Sequence, residues 1–375
     1  MPDLALKTLV HDKLRFFITV SGVAFAVTLG FVQVGLFMGL MDNATVTIRK
    51  MDADIWVTSR NTPNIDFAHA FPESYVQRVR AVPGVADADN LIVWFMNMNL
   101  PSGAQEGVEV YALEDFSKWN IPWNVSEGNL DDLRRGNFVF LDDSGIRRFG
   151  PFQLGEYREI LGRKLRIIGR TQEAESFTTT PMVFMDYELA QALNPDELQN
   201  RTTYMVVRLL PGADMDAVKA EIAHLLPYND IYTRDAWAAQ SKRYWVESTG
   251  LGLNMYLTVF LGCLVGIVVV AQTLYSSTME HLREFGTVKA IGGSNADIYS
   301  ILIKQASIAA VVGFILGAAM AYAMRPAIAS INLKLIITPE LAVAVFIGSI
   351  VMCLASALVS FRKVASIDPA LVFRG

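Results

Sequence analysis

Adjacent acidic side chains are the first candidates for chemistry in this sequence. Two pairs, Asp131/Asp132 and Asp142/Asp143, could serve general acid–base catalysis. The second pair begins the stretch DDSG (142–145), but the nucleophile-elbow pattern G-x-S-x-G is absent. We therefore predict that DDSG forms a turn, that both pairs are solvated loop charges, and that the chain has no catalytic residue.

Residues that bind metals or nucleotides are equally sparse. The few candidate ligands are scattered along the chain: His11, His69, His224, His281, Cys263 and Cys353. Both cysteines lie in apolar runs, which argues against a disulfide framework and a thiolate metal site. The phosphate-binding pattern G-x-x-x-x-G-K-[ST] is absent. We predict that the chain itself binds no metal and no cofactor.

One charged stretch, MEHLREFGTVKAIGG (279–293), lies between two long apolar runs. Its apolar residues recur at helical spacing: Met279, Leu282, Phe285, Val288 and Ile291. Glu280 and Arg283 can pair one turn apart, Gly286 allows a bend, and Gly292 can end the helix. The pattern predicts a short amphipathic helix within 276–297, which either connects two spans at the membrane surface or docks a cytoplasmic partner.

Four apolar runs predict membrane spans, in a chain that is 52% hydrophobic and 18% charged. The predicted spans are 16–41, 250–275, 298–324 and 341–361. The first run reaches about 39 Å as a helix, more than the ~30 Å hydrocarbon core. It is too long for a signal-peptide core and no small-residue cleavage site follows, so we predict an uncleaved span.

Lysine and arginine near the span ends predict the orientation of the chain. The segments predicted to be cytoplasmic by the positive-inside rule are 1–15 (an amphipathic N-terminal segment), 276–297 and 362–375. Residues 42–249 and the loop 325–340 are then external, although Arg325 and Lys334 in that loop run against the rule. Residues 42–249 carry 30 acidic and 21 basic side chains, which argues against nucleic acid as a partner.

The external region is predicted to contain both strands and helices. A first unit of strand, helix and two strands comprises 53–59, 72–82, 91–100 and 107–113. Further β-rich runs, 137–143, 163–171 and 179–186, predict a small lobe at about 130–195. A second strand–helix unit follows at 202–210 and 213–226. We predict four membrane helices and, between the first two, a ferredoxin-like α+β lobe with an inserted β-rich lobe.

Three G-x-x-x-G motifs place pairs of glycines on single helix faces. The pairs are Gly35 and Gly39, Gly262 and Gly266, and Gly313 and Gly317. Such faces permit close helix–helix approach. The contact could lie within one chain or between two copies.

The charged stretch resembles the coupling segment of FtsX-like, MacB-type ABC permeases, E-R-x-x-E-[IF]-G-x-x-[KR]-A-[LIV]-G-A. The matching residues are Glu280, Arg283, Glu284, Phe285, Gly286, Lys289, Ala290, Ile291 and Gly292. His281 and Gly293 depart from the family pattern. The tail IDPALVFRG (367–375) is also similar, and the opening LRFFITVSGVAFAVTLGFVQVGL looks closest to DevC-type permeases, which work with a separate ATPase.

The resemblance implies a non-catalytic permease subunit of the bacterial inner membrane, with both termini cytoplasmic. A cytoplasmic ABC ATPase would bind ATP and magnesium, press on the coupling segment of a permease homodimer, and so drive the external domain. The implied function is export of a substrate, with a periplasmic adaptor and an outer-membrane channel as further partners. The alternative is an FtsX-like transmitter that activates a periplasmic enzyme and moves no cargo. Lipid, lipoprotein, peptide and drug all remain open as substrates.

Overall fold

A computed structural model describes residues 13–134, 136–177, 180–280 and 294–365 of the chain. The chain divides into a helical unit, residues 1–39 and 252–375, and an α/β unit, residues 40–251. The helices of the described residues are α1 Lys13–Lys50, α2 Tyr75–Arg80, α3 Ile146–Phe149, α4 Tyr187–Leu193, α5 Pro195–Leu198, α6 Met215–Leu225, α7 Arg234–Arg243, α8 Leu251–Glu280, α9 Asn295–Ala329 and α10 Pro339–Ala365. A π-helical turn, Tyr244–Ser248, lies between α7 and α8.

The strands of the described residues all lie between α1 and α7. They are β1 Ile55–Ser59, β2 Phe71–Pro72, β3 Val85–Asn99, β4 Gln105–Leu113, β5 Val125–Glu127, β6 Phe138–Asp142, β7 Tyr157–Ile160, β8 Arg163–Thr171, β9 Met182–Asp186, β10 Arg201–Thr202, β11 Tyr204–Leu209 and β12 Asn229–Thr233. All but β2 and β10, which pair with each other, belong to one sheet.

Four helices among the described residues, α1, α8, α9 and α10, are long and apolar enough to cross a membrane. Each of these helices ends beyond its predicted span. Helix α1 continues to Lys50 rather than stopping near 41, because Asn43, Thr45, Ile48 and their neighbours are themselves buried. Helix α9 continues past Pro326 to Ala329, because the Pro326 carbonyl still accepts a hydrogen bond from the Ser330 N–H (2.9 Å).

Strands from the two ends of the α/β unit form its first lobe. Their order is β12-β1-β11-β3, and every adjacent pair is antiparallel. With α2 between β1 and β3 and α6 between β11 and β12, this is the predicted ferredoxin-like β-α-β-β-α-β arrangement. Val76 and Val79 of α2 pack with Val218 and Ile222 of α6 in one apolar cluster.

The inserted strands continue this sheet instead of forming a separate one. Strand β3 has 15 residues, long enough to pair with β11 through Leu91 and with β4 from Ile92 onward. Beyond β4 the strands close on themselves in the order β4-β9-β6-β8-β7, since β7 pairs with β8 and also with the end of β3. The predicted β-rich lobe is therefore a ring of six paired strands that shares β3 with the ferredoxin-like lobe.

Alternate residues of these six strands fill the interior of the ring with apolar side chains. Among them are Met96, Met98, Val110, Val139 and Ile167. Both methionines are buried there, so they belong to strand packing. Burial on both faces explains why several of these strands lack a hydrophobic–polar alternation.

The opposite face of the same strands contributes to a second core of the α/β unit. Tyr111, Phe184, Tyr204 and other large residues of the sheet pack there with Trp237 of α7. Ile48, in the last turn of α1, is fully buried in the same cluster. The C-terminal end of α1 is therefore part of the hydrophobic core of the α/β unit.

Candidate functional site

Glu280, the first residue of the predicted coupling motif, is the last residue of α8. Its carboxylate forms an ion pair with Arg15 near the start of α1, and the two side chains are 57% and 24% exposed. Arg15 was not singled out by the motif, because only the folded helical unit brings it to Glu280. The other predicted coupling residues lie outside the described residues: Arg283, Glu284, Phe285, Gly286, Lys289, Ile291 and Gly292.

The six glycines of the G-x-x-x-G motifs all face residues of their own chain within the helical unit. A Cβ atom on Gly35 would lie 2.6 Å from Leu335, one on Gly262 would lie 2.5 Å from Leu29, and one on Gly266 would lie 2.5 Å from Met352. Gly39 faces the Lys334 backbone, and Gly313 and Gly317 face Val23 and Val27 of α1. These distances favour intrachain packing as the role of all three motifs.

Hydrogen bonds supplement the close helix contacts of the helical unit. Thr28 donates to the carbonyl of Gly317 (3.1 Å), the same glycine that lets α1 and α9 approach each other. The Thr19 and Thr273 hydroxyls are 2.9 Å apart and join α1 to α8. Small residues and polar hydroxyls together stabilise helix pairs where no hydrophobic effect acts between them.

The acidic pairs of the α/β unit have different environments. Asp131 and Asp132 are exposed, as predicted. Asp142 is fully buried at the end of β6, so the prediction of a solvated charge is wrong for this residue. Its carboxylate accepts hydrogen bonds from the Ser144 N–H (2.9 Å), the Thr171 hydroxyl (2.7 Å) and the Ala174 N–H (3.1 Å).

The DDSG stretch forms the predicted turn, a short 3₁₀ helix at Asp143–Gly145 that follows Asp142. Asp143 forms an ion pair with Arg170 (2.8 Å). Burial raises the pKa of Asp142, and the Ser144 and Thr171 hydrogen bonds oppose that shift. With its oxygens occupied by structural donors, Asp142 stabilises the turn and does not form a reactive centre.

A second pair of acidic residues, Asp66 and Glu109, is buried in the core that contains Tyr111 and Tyr204. Glu109 is fully buried on β4, and Asp66 is 4% exposed in the loop after β1. Both Glu109 carboxylate oxygens, Asp66 Oδ2 and the indole N–H of Trp245 are buried without a hydrogen-bond partner of ordinary geometry. Such groups are costly, since an unpaired buried polar atom loses its hydration.

Burial raises the cost of ionising both carboxyl groups, and the Asp66 charge adds to that cost for Glu109. Burial raises the pKa of Asp66 to about 6, while the Glu109 carboxyl and the Trp245 indole oppose the shift. Burial also raises the pKa of Glu109 well above its usual range, and the Asp66 charge raises it further. The sequence offered one signal of this site: Glu109 interrupts the apolar strand GVEVYAL. Nothing local linked it to Asp66 or Trp245.

Within the described part of the chain, no three His, Cys, Asp or Glu side chains are grouped so that they could bind a metal ion.

Comparisons with known proteins agree with this architecture. The family model of the MacB-like periplasmic core domain matches residues 16–225, more than half of the chain. The model of the FtsX-like permease C-terminal region matches residues 256–369. The second match includes the whole of the predicted coupling motif.

Several ABC transporter permeases are similar along the full length. An uncharacterized ABC transporter permease of Mycobacterium tuberculosis is 25% identical over 382 residues, covering 99% of both chains. Another, from Methanocaldococcus jannaschii, is 19% identical and covers 99% of this chain and 96% of its own. The macrolide export ATP-binding/permease protein MacB of Psychrobacter cryohalolentis is 21% identical over 63% of this chain and 37% of its own length.

Solved structures similar to this chain cover about half of it. The periplasmic region of MacB from Actinobacillus actinomycetemcomitans matches with a TM-score of 0.39 and 13% identity, over 50% of this chain and 92% of that one. The extracellular domain of the noncanonic ABC-type transporter YknZ from Gram-positive bacteria matches with a TM-score of 0.37 and 14% identity, over 48% of this chain and 98% of that one. On the two family models and its four apolar helices, this chain is a multi-pass membrane protein of the MacB-like, FtsX-like ABC transporter permease family, with a large extracytoplasmic α/β domain.

Proposed function

We propose that this chain is the permease subunit of an ABC exporter and transmits ATP-driven motion from a separate ATPase to its extracytoplasmic α/β unit. The motion would begin at the coupling segment 276–297 and end in substrate extrusion. The subunit would work as a homodimer in a bacterial inner membrane, with both termini cytoplasmic. A periplasmic adaptor and an outer-membrane channel would complete an export path.

The continuity of α1 is the observation that carries this proposal. Its 38 residues make one helix of about 57 Å, at about 1.5 Å per residue. The same helix contains the apolar run 16–41 and ends with Ile48 in the hydrophobic core of the α/β unit. A hydrogen-bonded helix resists bending, and its buried end cannot slide without disturbing that core, so displacement of the span would reach the domain.

The ion pair of Arg15 with Glu280 supports the starting point of the motion. It joins α1 to the end of α8, directly before the coupling motif. A push on the motif would therefore act on α1 and on α8 together. Partly exposed pairs contribute little stability, roughly 0–1 kcal/mol, so this contact is a link between helices more than a source of stability.

The coupling step is tested by charge reversal in the motif. The full chain is purified from membranes with its co-expressed ABC ATP-binding subunit, and ATP hydrolysis is measured with and without the permease. Glu284→Lys should insert and fold normally and still leave ATP hydrolysis unstimulated. The matched control is Glu340→Lys, which reverses an exposed charge in the first turn of α10. This variant should stimulate ATP hydrolysis as the wild type does. Full stimulation by Glu284→Lys would refute the coupling role.

The orientation of the chain in the membrane and the choice between export and signalling need separate measurements. Tyr228 is 75% exposed in the α/β unit, so Tyr228→Cys should react with a membrane-impermeant maleimide added to cells with a permeabilised outer membrane. Absence of labelling there would place the domain on the wrong side for export. Co-purification of an adaptor or outer-membrane channel supports export, whereas co-purification of a cell-wall hydrolase would favour the signalling alternative.

A further inference from the structure

The buried carboxyl pair Asp66 and Glu109 lies where two segments next to the membrane spans enter the core of the α/β unit. On β4, Glu109 is on the same face as Tyr111, two residues later, and Thr47 of α1 donates a hydrogen bond to the Tyr111 hydroxyl (3.4 Å). Trp245, in the π-helical turn that precedes α8, interacts with Asp66. The pair therefore adjoins both chain segments that lead to the first two spans.

An aromatic cluster holds the Trp245 turn in place. The Trp245 ring stacks on Phe177 with centroids 3.7 Å apart, and Phe67 contacts both Trp245 and Tyr244 with centroids 5.9 Å apart. Phe67 directly follows Asp66, and Phe177 directly follows Ser176, whose hydroxyl interacts with Glu109. The loop that carries Asp66 and the segment that carries Ser176 thus also carry the rings that contact Trp245.

Two carboxylates cannot both ionise in this site without water. Each oxygen without a partner would be a buried charge, and the two charges would repel each other. Among the described residues, neither carboxyl group forms an ion pair with lysine, arginine or histidine. One retained proton removes the repulsion and leaves a single buried charge, since the protonated carboxyl can donate to its neighbour while the Trp245 N–H donates to the remaining oxygen.

The other groups around the pair do not supply a competing charge. Tyr111 and Tyr204 face it from β4 and β11, and burial raises the pKa of both phenols well above the usual range, so they remain neutral. Glu175 is buried in the segment that carries Ser176. On the π-helical turn, Glu247 is exposed to solvent.

We propose that Asp66 and Glu109 form a proton-binding site that holds one shared proton, and that its release to solvent water loosens the Trp245 turn from the core of the α/β unit. When the proton leaves, two carboxylates remain and must be hydrated. Separation of the loops that carry Phe67 and Phe177 would admit water to them, and it would unstack Trp245. The acidity outside the membrane thereby sets how firmly the segment before α8 is held, and this device requires no ATP-binding subunit.

The proton is detected by infrared spectroscopy of the full chain in lipid nanodiscs. The wild type should show a carbonyl band of a buried protonated carboxylic acid that persists up to about pH 6 or higher, well beyond the ordinary range near pH 4. The band should be missing from the Asp66→Asn/Glu109→Gln double variant. A band that titrates near pH 4, or that the double variant retains, would overturn the proposal.

The loosening is measured by amide hydrogen exchange of peptides covering 240–250, corrected for the intrinsic pH dependence of exchange. Exchange in the wild type should rise about tenfold or more across the pH range in which the carbonyl band disappears, the change expected when a single site titrates over more than one unit. It should stay flat in the double variant. Glu173→Gln removes an exposed carboxylate close to Ser176 in sequence and is the matched control. Its exchange should depend on pH as that of the wild type does.

A single conservative variant keeps the proposal testable if the double variant does not fold. Trp245→Phe retains a ring against Phe177 but removes the indole N–H that favours the ionised form of Asp66. The exchange midpoint should therefore move to higher pH. An unchanged midpoint in Trp245→Phe would contradict the assignment.

Discussion

The close contact of α1 with α9 offers a quantitative test through Gly317→Ala. A Cβ atom at this position would lie 2.6 Å from Val27 Cγ1 and 2.7 Å from the Ala24 carbonyl oxygen, whereas ordinary contact begins near 3.4 Å. The Ala24 oxygen belongs to the backbone, so the helices must separate by about 0.7 Å to admit one methyl group. That movement also lengthens the Thr28 hydrogen bond to the Gly317 carbonyl.

The expected change in the free energy of unfolding of Gly317→Ala has two parts of opposite sign. Overpacking of this kind costs about 1–3 kcal/mol. Replacing glycine by alanine within a helix returns about 1 kcal/mol through backbone entropy. Gly348→Ala in α10 isolates the steric part, because a Cβ atom there meets nothing within 4 Å while the propensity gain is the same. Gly317→Ala should therefore be less stable than Gly348→Ala by about 1–3 kcal/mol.

Unfolding of the full chain in mixed detergent micelles, with increasing dodecyl sulfate and circular dichroism as the readout, measures this difference. Light scattering of the native sample reports the oligomeric state in parallel. Equal unfolding free energies of the two variants would refute the packing argument. A loss of dimer by Gly317→Ala with unchanged unfolding would show instead that this face joins two copies.

Two further predictions concern the α/β unit. Asp142→Ala should lower the free energy of unfolding by about 2–4 kcal/mol, because Thr171 and two backbone N–H groups lose a buried acceptor; Asp143→Ala should cost less than about 1 kcal/mol, since its partner Arg170 stays partly exposed. Denaturant titrations of both variants check this, and similar losses would contradict it. Because the pKa of Asp66 is raised from 3.8 to about 6, the folded state retains a proton that the unfolded chain releases. Asp66 therefore contributes stability that is fully present below about pH 4 and is lost as the pH rises to about 6, up to about 3 kcal/mol. In Asp66→Asn, the free energy of unfolding should no longer fall as the pH rises from about 4 to about 6. An unchanged dependence on pH would show that Asp66 is not its source.

Parts of the candidate site could be predicted from sequence and parts could not. The coupling motif is a local pattern in which Glu280, Arg283 and Glu284 lie within a few residues of each other, so it could be recognised directly. Its ion pair with Arg15 joins residues 265 positions apart, and Asp66 and Glu109 meet only through the loop after β1 and strand β4. No periodicity spans such separations.

Local sequence patterns were sufficient to predict most helices and strands of this protein. An apolar run of more than 20 residues predicts a span because length and hydropathy suffice to exclude other structures, and alternating or apolar runs bounded by turn residues located most strands. Strands β2, β5, β7 and β12 were missed because each has at most five residues, too few for a clear pattern, and β12 pairs with β1, which is distant in sequence. The tertiary structure alone decided three features: that β3 is shared by both lobes, that the glycines of α9 face α1, and that two carboxyl groups lie together in the core. Each depends on contacts between segments that diffuse independently until the chain folds, so their geometry is encoded in the packing of the whole unit and in no single stretch of sequence.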